Sequence, residues 1–403
     1  MNKAIPRFLD RTTPPHLATL ILISGVSALS MNVFLPSLPN MAAYFDADYR
    51  VLQLSVSVYL GFSAILQLVI GPLSDRFGRR NILLASLVIF LLASVGTLIA
   101  PNATVFLVFR MLQAAVATGM ALSRAIVRDM VEESQAASMI GYLTLGMSIV
   151  PMLGPIIGGA LDEVFGWKAS FLLLTLLGAL VLALVWSDLG ETMERKPGGF
   201  AAQFREYPEL LTSPRFWGYV LSTACASGVF FAYLGGAPFV GTVIYGLSPS
   251  ELGFFFGTTG LGYGLGNFVS GRYSMRMGVT RMIIGGNAVM ATGIACQALA
   301  VATGIGGAAG FFLPFLFVGI GNGMVLPNSN AGMLSVRPAL AGTASGLGGA
   351  FMIGGGALLS ALAGALLTAE TGAWPLIAIM TLSLLGSIAA IFLVIARNRQ
   401  LAG

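Results

Sequence analysis

Residues 71–80 of the chain, Gly-Pro-Leu-Ser-Asp-Arg-Phe-Gly-Arg-Arg, separate two apolar runs that are each long enough to cross a lipid bilayer. The stretch combines turn-forming residues with charge, so we predict that it lies in water as a loop. Its three arginines, Arg76, Arg79 and Arg80, place it on the cytoplasmic side, because loops on that side carry the excess of Lys and Arg. The rest of the topology is counted outward from this loop.

The composition is typical of an integral membrane protein. Of the 403 residues, 56% are hydrophobic and 9% are charged, whereas about 25% are charged in soluble domains. At ~20 residues per span, about twelve membrane helices fit, so the predicted fold class is all-α and polytopic. The net charge of +5 comes from basic residues in the predicted loops, which form no nucleic-acid-binding patch. Cys225 and Cys296 both fall in apolar spans. We therefore expect no nucleic-acid partner, disulfide, metal or cofactor.

Apolar runs bounded by Gly, Pro or charged residues predict six helices on each side of one polar segment. The predicted helices cover residues 17–36, 51–71, 81–100, 104–127, 136–161, 167–188, 215–236, 251–271, 280–302, 308–332, 340–367 and 373–396. The polar segment carries both signs of charge together with Pro and Gly. We therefore predict an N-terminal six-helix bundle at 1–190, a cytoplasmic linker at 191–214 and a C-terminal six-helix bundle at 215–403.

The basic residues support this topology. Of the 21 Lys and Arg residues, Arg50 and Lys168 fall in predicted outside loops and Arg110 falls inside a span, which leaves 18 on the predicted inside. This asymmetry predicts that both termini are cytoplasmic.

A repeat relates the two halves. Gly71, Arg76 and Gly78 recur 200 residues later as Gly271, Arg276 and Gly278, again after the second helix of a half. Two similar bundles that face each other typically hold a binding site between them, near the middle of the membrane.

The pattern Gly-x-Leu-x-Asp-Arg-x-Gly-Arg-Arg resembles the signature loop between helices 2 and 3 of the major facilitator superfamily of transporters. The resemblance implies that Asp75 is part of a cytoplasmic latch that closes against the inner end of predicted helix 4 and the N-terminus of helix 11 near Gly342. From the residues alone, Asp75 is more often a solvated turn residue that helps to cap helix 3. The predicted gate comprises Gly71, Asp75, Arg76, Gly78, Arg79, Arg124 and Arg128.

Predicted helix 5 is rich in helix-breaking residues, which small-residue packing alone would also explain. Its spacing resembles the helix 5 motif of the superfamily's exporters, mainly antiporters, and this resemblance implies export. The residues that carry it are Gly146, Pro151, Gly154, Pro155, Gly158 and Gly159.

Three further segments, residues 27–39, 322–328 and 342–346, resemble the drug:proton antiporter branch that includes bicyclomycin and chloramphenicol resistance exporters. That branch typically has an Asp where this chain has Asn32. Every one of the 16 carboxylates is predicted to lie in a loop, a tail or a helix end. Because intramembrane acids are the usual proton carriers of transporters, the proton coupling that the resemblance implies lacks its expected residue.

Arg110 and Gln113 match the Arg-x-x-Gln of the superfamily's helix 4. Arg110 is either a cation that faces a pocket or a side chain that extends along the helix to the membrane surface. The rise per residue places Asn32 and Arg110 at similar depth, and we expect them to be neighbours. An unneutralised Arg110 would then favour neutral or anionic substrates. The other candidate pocket residues are Tyr59, Tyr142 and Tyr233.

Together these features predict a monomeric transporter of the bacterial inner membrane that exports small amphipathic drugs by alternating access, with protons as an implied partner. The first alternative is a metabolite exporter, uniporter or anion exchanger without a dedicated proton site. A membrane sensor that transports nothing is the second alternative. An enzyme is not expected, because the chain has no soluble domain, phosphate loop or metal-ligand cluster.

Overall fold

The computed structural model describes residues 7–131, 133–193, 208–337 and 340–402. Most of the predicted linker, residues 194–207, lies outside them. The described residues form α-helices with short 3₁₀ and π turns and contain no β-strand. In chain order the long helical segments are α1 (Leu17–Tyr44), α2 (Tyr49–Phe77), α3 (Arg79–Leu98), α4 (Ala103–Met130), α5 (Glu133–Phe165), α6 (Lys168–Asp188), α7 (Pro214–Ile244), α8 (Pro249–Met277), α9 (Val279–Thr303), α10 (Gly307–Ser335), α11 (Ala341–Leu366) and α12 (Trp374–Gln400).

These helices confirm the all-α membrane fold. Within the described residues, ten of the segments are long and apolar enough to span a bilayer, which requires about 20 residues at 1.5 Å each. The other two, α5 and α8, are 33 and 29 residues long. Twelve membrane crossings therefore remain a prediction.

The stretch at residues 71–80 is more helical than its sequence predicts. Helix α2 continues through Pro72 to Phe77, and α3 begins at Arg79, so that the turn is confined to Gly78. Gly78 has φ 93° and donates its N–H to the Ser74 carbonyl, which ends α2 in a conformation that favours glycine. Polar residues at the end of a membrane helix remain helical when they can leave the hydrocarbon, and this explains the difference.

The repeat has the same geometry 200 residues later. Gly278 has φ 83° and donates its N–H to the Ser274 carbonyl, and it separates α8 from α9 just as Gly78 separates α2 from α3. Equivalent glycines thus end the second helix of each half.

Helix packing divides the described residues into two groups. In the first half, α1 packs on α5 and α6, and α3 packs on α4 and α6; in the second half, α7 packs on α11 and α12, and α10 packs on α8 and α9. The main contacts between the halves run along α5 with α8 and along α2 with α11. Between these two lines of contact, the facing surfaces of the two halves enclose a space.

The two halves touch closely at one end of the molecule. We call the end with the turns at 45–48, 166–167 and 245–248 the outer end, and the end with Gly78 and Gly278 the inner end. At the outer end, a Cβ on Gly253 of α8 would lie 2.3 Å from the Pro155 carbonyl oxygen of α5. Nearer the inner end, a Cβ on Gly264, on the same face of α8, would meet no atom of the described residues within 4 Å. The halves are therefore in close contact at the outer end, along α5 and α8.

Candidate functional site

A cavity with a volume of about 260 Å³ lies between the two halves. Its lining is mainly apolar and aromatic, and its described residues include one charged side chain, Arg124, and no carboxylate. The lining residues are Ser27, Ala28, Met31, Asn32, Tyr59, Leu60, Ser63, Gln67, Ala117, Met120, Arg124, Pro155, Ser227, Phe230, Phe231, Leu234, Phe256, Thr259, Gly260, Tyr263, Gly319, Asn322, Leu326, Met352 and Ile353. Such a lining suits an amphipathic ligand held by a few polar contacts.

Arg110 does not line this cavity. Its side chain is fully buried inside the first half, where its guanidinium donates to the Ser30 carbonyl at 2.7 Å and to the Gln113 side chain at 2.9 Å. The guanidinium carbon also lies 4.2 Å from the ring centroid of Phe34 and 4.3 Å from that of Tyr59. Among the described residues, no carboxylate forms an ion pair with it. These contacts exclude extension to the membrane surface, and they also correct the expectation of a cation that faces the pocket.

Gln113 extends the Arg110 contacts to a third helix. Its amide donates to the Ser94 hydroxyl of α3 at 2.9 Å, and that hydroxyl donates to the Phe90 carbonyl. One arginine and one glutamine thereby connect α1, α2, α3 and α4. The predicted pair is present, but it joins helices of the first half and does not reach the cavity.

Asn32 lines the cavity but is not a neighbour of Arg110. Ser30 and Phe34, which contact Arg110, lie on one face of α1, and Asn32 lies on the opposite face because a helix turns 100° per residue. The Asn32 amide donates to the Ala28 carbonyl, and its Oδ1 is buried without a hydrogen-bond partner. Arg110 thus contacts the turn of α1 that contains Asn32, but from the other side of the helix.

The three predicted tyrosines occupy three different environments. Tyr59 lines the cavity, with its hydroxyl directed at the Ser27 carbonyl. Tyr233 is buried behind the lining, stacked on Phe315 with ring centroids 3.6 Å apart. Tyr142 is 58% exposed and lies on the same face of α5 as the exposed Leu153. Tyr142 and Tyr233 are therefore not cavity residues in this structure.

The predicted gate residues form a network within the first half. Arg79 contacts Asp75 at 2.7 Å and Asp129 of α4 at 3.2 Å, and it also donates to the Ser74 hydroxyl. Asp75 was expected to contact Arg124 or Arg128 and the N-terminus of α11 near Gly342, whereas its ion-pair partner among the described residues is Arg79. A contact between Asp75 and the second half is thus not among the contacts of the described residues.

The other gate residues lie around this network. Gly71 is within α2, and Arg76 stacks on Phe77 with its guanidinium carbon 5.3 Å from the ring centroid. Arg128 is exposed at the inner end of α4, whereas Arg124, one turn earlier, lines the cavity. Their latch function remains a prediction.

The glycines of α5 permit close packing on both neighbours. A Cβ on Gly158 would lie 1.6 Å from the Val33 carbonyl oxygen of α1, and one on Gly159 would lie 2.2 Å from the Pro249 carbonyl oxygen of α8. Gly154 faces Leu29 and Asn32 of α1. Gly146 and Pro151 are also in α5, but their surroundings lie outside the described part of the chain. The packing interpretation of this motif thus has a structural basis, and its link to export remains a prediction.

Replacing Gly158 with alanine is expected to destabilise the protein by about 1–3 kcal/mol, the usual cost of overpacking, because the new methyl group meets backbone that cannot move aside. The apparent unfolding temperature in detergent measures this change. Gly61→Ala is the control, since its Cβ would have no neighbour within 4 Å and alanine favours a helix. Equal unfolding temperatures for the two variants would contradict the packing role of Gly158.

Sequence reasoning missed several polar residues of the cavity as ligand contacts, among them Gln67, Tyr263 and Asn322. It also assigned Arg124 to the gate alone. The sequence feature that could have identified these cavity residues is a polar side chain within an otherwise apolar span. That signal was ambiguous, because many such side chains, including Ser222 and Ser387, hydrogen-bond to neighbouring helices within one half.

Comparison with known proteins agrees with this architecture. The family model described as Major Facilitator Superfamily matches residues 20–351. The YdgK protein of Bacillus subtilis, named as an uncharacterized MFS-type transporter, is 32% identical over 95% of this chain and 96% of its own length. A chloramphenicol resistance protein of Pseudomonas aeruginosa is 29% identical over 89% and 86%, and multidrug resistance protein D of Escherichia coli is 26% identical over 91% and 92%.

A similar fold occurs among solved structures. A bacterial homolog of the human lysosomal transporter Spinster, in an inward-facing and occupied conformation, superposes with a TM-score of 0.68 at 17% identity, over 95% of this chain and 96% of that chain. Together with the two packed halves and the cavity between them, the family match leads to one conclusion: this chain belongs to the Major Facilitator Superfamily.

Proposed function

We propose that this protein is a secondary transporter of the bacterial inner membrane that exports small amphipathic molecules, including drugs, by alternating access. The observation that carries the proposal is the apolar, aromatic cavity between two helical halves, closed toward one end. The names of the relatives, which include chloramphenicol and multidrug resistance proteins, support drugs as substrates. The protein acts as a monomer with both termini in the cytoplasm, and its bundles are 1–190 and 215–403, joined by the linker 191–214.

The contacts at the outer end support an inward-open state. The buried amide of Gln53 in α2 donates to the carbonyl and hydroxyl oxygens of Ser360 in α11, at 2.7 and 3.0 Å. The Tyr49 hydroxyl donates to the Gly235 carbonyl of α7, and the Ser250 hydroxyl of α8 donates to Glu163 of α5 at 2.6 Å. Each of these hydrogen bonds must break before the cavity opens outward.

Gln53→Ala is expected to shift the protein toward the outward-open state. One buried hydrogen bond contributes ~1 kcal/mol, or about fivefold in the equilibrium between the two states. A cysteine at the lining position Ser227, in a background without Cys225 and Cys296, reports this shift through its rate of reaction with an impermeant thiol reagent added outside cells.

The control is Gln297→Ala. Gln297 is also a buried amide that donates to a backbone carbonyl, that of Phe311, but it does so inside the second half. An equal rise in labelling for both variants, or no rise in Gln53→Ala, would contradict the outer-gate role.

Two modes of energy coupling fit a transporter of this family. Proton-linked antiport is the mode that the family resemblance implies. Uniport or anion exchange without a dedicated proton site is the second candidate, and it is favoured by the absence of a carboxylate among the described lining residues, since a proton-coupled cavity normally contains one.

The proposed function is tested in an efflux-deficient bacterium. Expression of the chain should lower the accumulation of at least some amphipathic drugs and raise resistance to them relative to the empty vector. Unchanged accumulation and resistance across a broad panel, with the protein present in the membrane, would overturn the proposal.

A further inference from the structure

Arg124 sets the charge of the cavity. It is the one charged residue among the described lining residues, and no acidic side chain accompanies it there. It lies six residues before the end of α4 at Met130, ~9 Å along the helix, and hence near the inner opening. Positive charge at low dielectric attracts an anion more strongly than it does in bulk water.

Two neutral donors, Tyr263 of α8 and Gln67 of α2, line the same cavity as Arg124. Tyr263 lies close enough for an electrostatic interaction with Arg124, and so does Arg128, which adds a second positive charge at the inner end of α4. An arginine with a nearby hydroxyl and amide provides several hydrogen-bond donors for a carboxylate, sulfonate or similar group, and arginine binds such groups through two parallel hydrogen bonds. The first half and the second half each contribute to this subsite.

The rest of the cavity fits the remainder of an amphipathic molecule. Phe230, Phe231 and Phe256 form an aromatic wall. Asn32 Oδ1 and the side-chain amide of Asn322 also line the cavity, are buried, and have no hydrogen-bond partner in the structure. Buried polar groups normally have partners, so these two amides are available to a ligand.

We propose that the cavity selects amphipathic molecules that carry one negative charge, with the anionic group bound at Arg124, Tyr263 and Gln67 and the apolar body against the aromatic wall. This inference rests on the proposed function and specifies its substrate class. Cations of the same shape are disfavoured, because they would meet the positive charge of Arg124 without a carboxylate among the described lining residues to offset it.

Three probes that share a naphthalene ring and differ in charge test the proposal. They are 2-naphthalenesulfonate, its neutral sulfonamide, and the 2-naphthyltrimethylammonium cation. Their binding is measured to the full chain in nanodiscs, with empty nanodiscs as blanks. We expect the sulfonate to bind at least tenfold more tightly than the cation. Arg124→Gln should weaken sulfonate binding at least tenfold and leave sulfonamide binding within twofold.

Arg272→Gln is the matched control, because it removes the same charge from an exposed site at the inner end of α8, and it should preserve the preference. Equal binding of cation and sulfonate by the wild type, or an equal loss in Arg272→Gln, would overturn the proposal. If Arg124→Gln no longer binds the sulfonamide, Arg124→Lys decides: it must retain the preference for sulfonate, and its failure to do so overturns the assignment.

Accumulation of the same probes and of standard drugs in cells distinguishes failure of the anion subsite from failure of the proposed export function. Export of drugs without a preference for the anionic probe would leave the proposed function standing and refute the anion subsite. Absence of export for every compound would overturn both.

Discussion

Replacing Arg110 with alanine is expected to destabilise the first half by about 3–5 kcal/mol, the range for truncating a large buried side chain, without altering the charge preference of the cavity. The variant loses two ring contacts and leaves the Gln113 oxygen without its donor. Removing a buried charge offsets part of this loss, but the guanidinium is already hydrogen-bonded and stacked on aromatic rings, so the loss of contacts prevails.

The measurement is the apparent unfolding temperature in detergent, together with the sulfonate-to-cation binding ratio. Arg110→Lys is a second test variant. It keeps the positive charge but cannot reproduce the planar stacking and the forked hydrogen bonds of arginine. We expect Arg110→Lys to be nearly as unstable as Arg110→Ala. A stable Arg110→Lys or Arg110→Ala variant with a lost anion preference would show that Arg110 acts on substrate after all.

The second large effect is expected for Asn32→Asp. This change places a carboxylate in a cavity that contains Arg124 but lacks acidic side chains among its described lining residues, and Arg110 is on the opposite side of α1 and does not neutralise it. We expect 2-naphthyltrimethylammonium to bind at least tenfold more tightly than to the wild type, and the sulfonate to bind at least tenfold more weakly.

Asn287→Asp provides the control for Asn32→Asp. Asn287 is a buried asparagine of the second half that accepts a hydrogen bond from Ser387 and does not line the cavity. Its replacement adds the same charge away from the ligand. If both variants changed probe binding equally, the effect would be one of overall charge or stability, and the account of Asn32 would fail.

The sequence predicted the fold because bilayer physics leaves few options. Apolar runs of this length form helices in lipid, and the Arg-rich turns and the family motifs gave the order of the helices. Gly78 and Gly278 were recognised from their spacing, and both end a helix with positive φ. The extent of α2 was wrong because polar residues at a membrane helix end do not by themselves stop the helix.

Side-chain direction was the part that sequence did not determine. In soluble proteins the apolar stripe of a helix marks its buried face, but a membrane helix is apolar toward lipid and toward its neighbours alike. Arg110, Tyr142 and Tyr233 were therefore assigned to the cavity on the basis of residue type and depth, and each faces elsewhere. Arg124 was assigned to the cytoplasmic gate because it lies near the inner end of predicted helix 4, and its exposure to the cavity was not foreseen.

An anionic substrate would also change the energetics of export. Export of a monoanion from an inside-negative cell releases ~2.3 kcal/mol of free energy per 100 mV of membrane potential. This energy supports roughly a 50-fold higher concentration outside than inside. Export of such a molecule needs no protein-borne proton carrier, in keeping with Asn32 and with the lack of a carboxylate among the described lining residues. A cation, in contrast, would have to move against the same potential.

A cavity that contains Arg124 and, among its described lining residues, no carboxylate is expected to export anions without a proton site. Flux of 2-naphthalenesulfonate from proteoliposomes tests this expectation most directly. The protein is reconstituted with a potassium diffusion potential or a pH gradient imposed separately. We predict that efflux rises severalfold when the lumen is made negative, reverses direction with the potential, and does not respond to the pH gradient at zero potential. Flux that follows the pH gradient and ignores the potential would contradict the account.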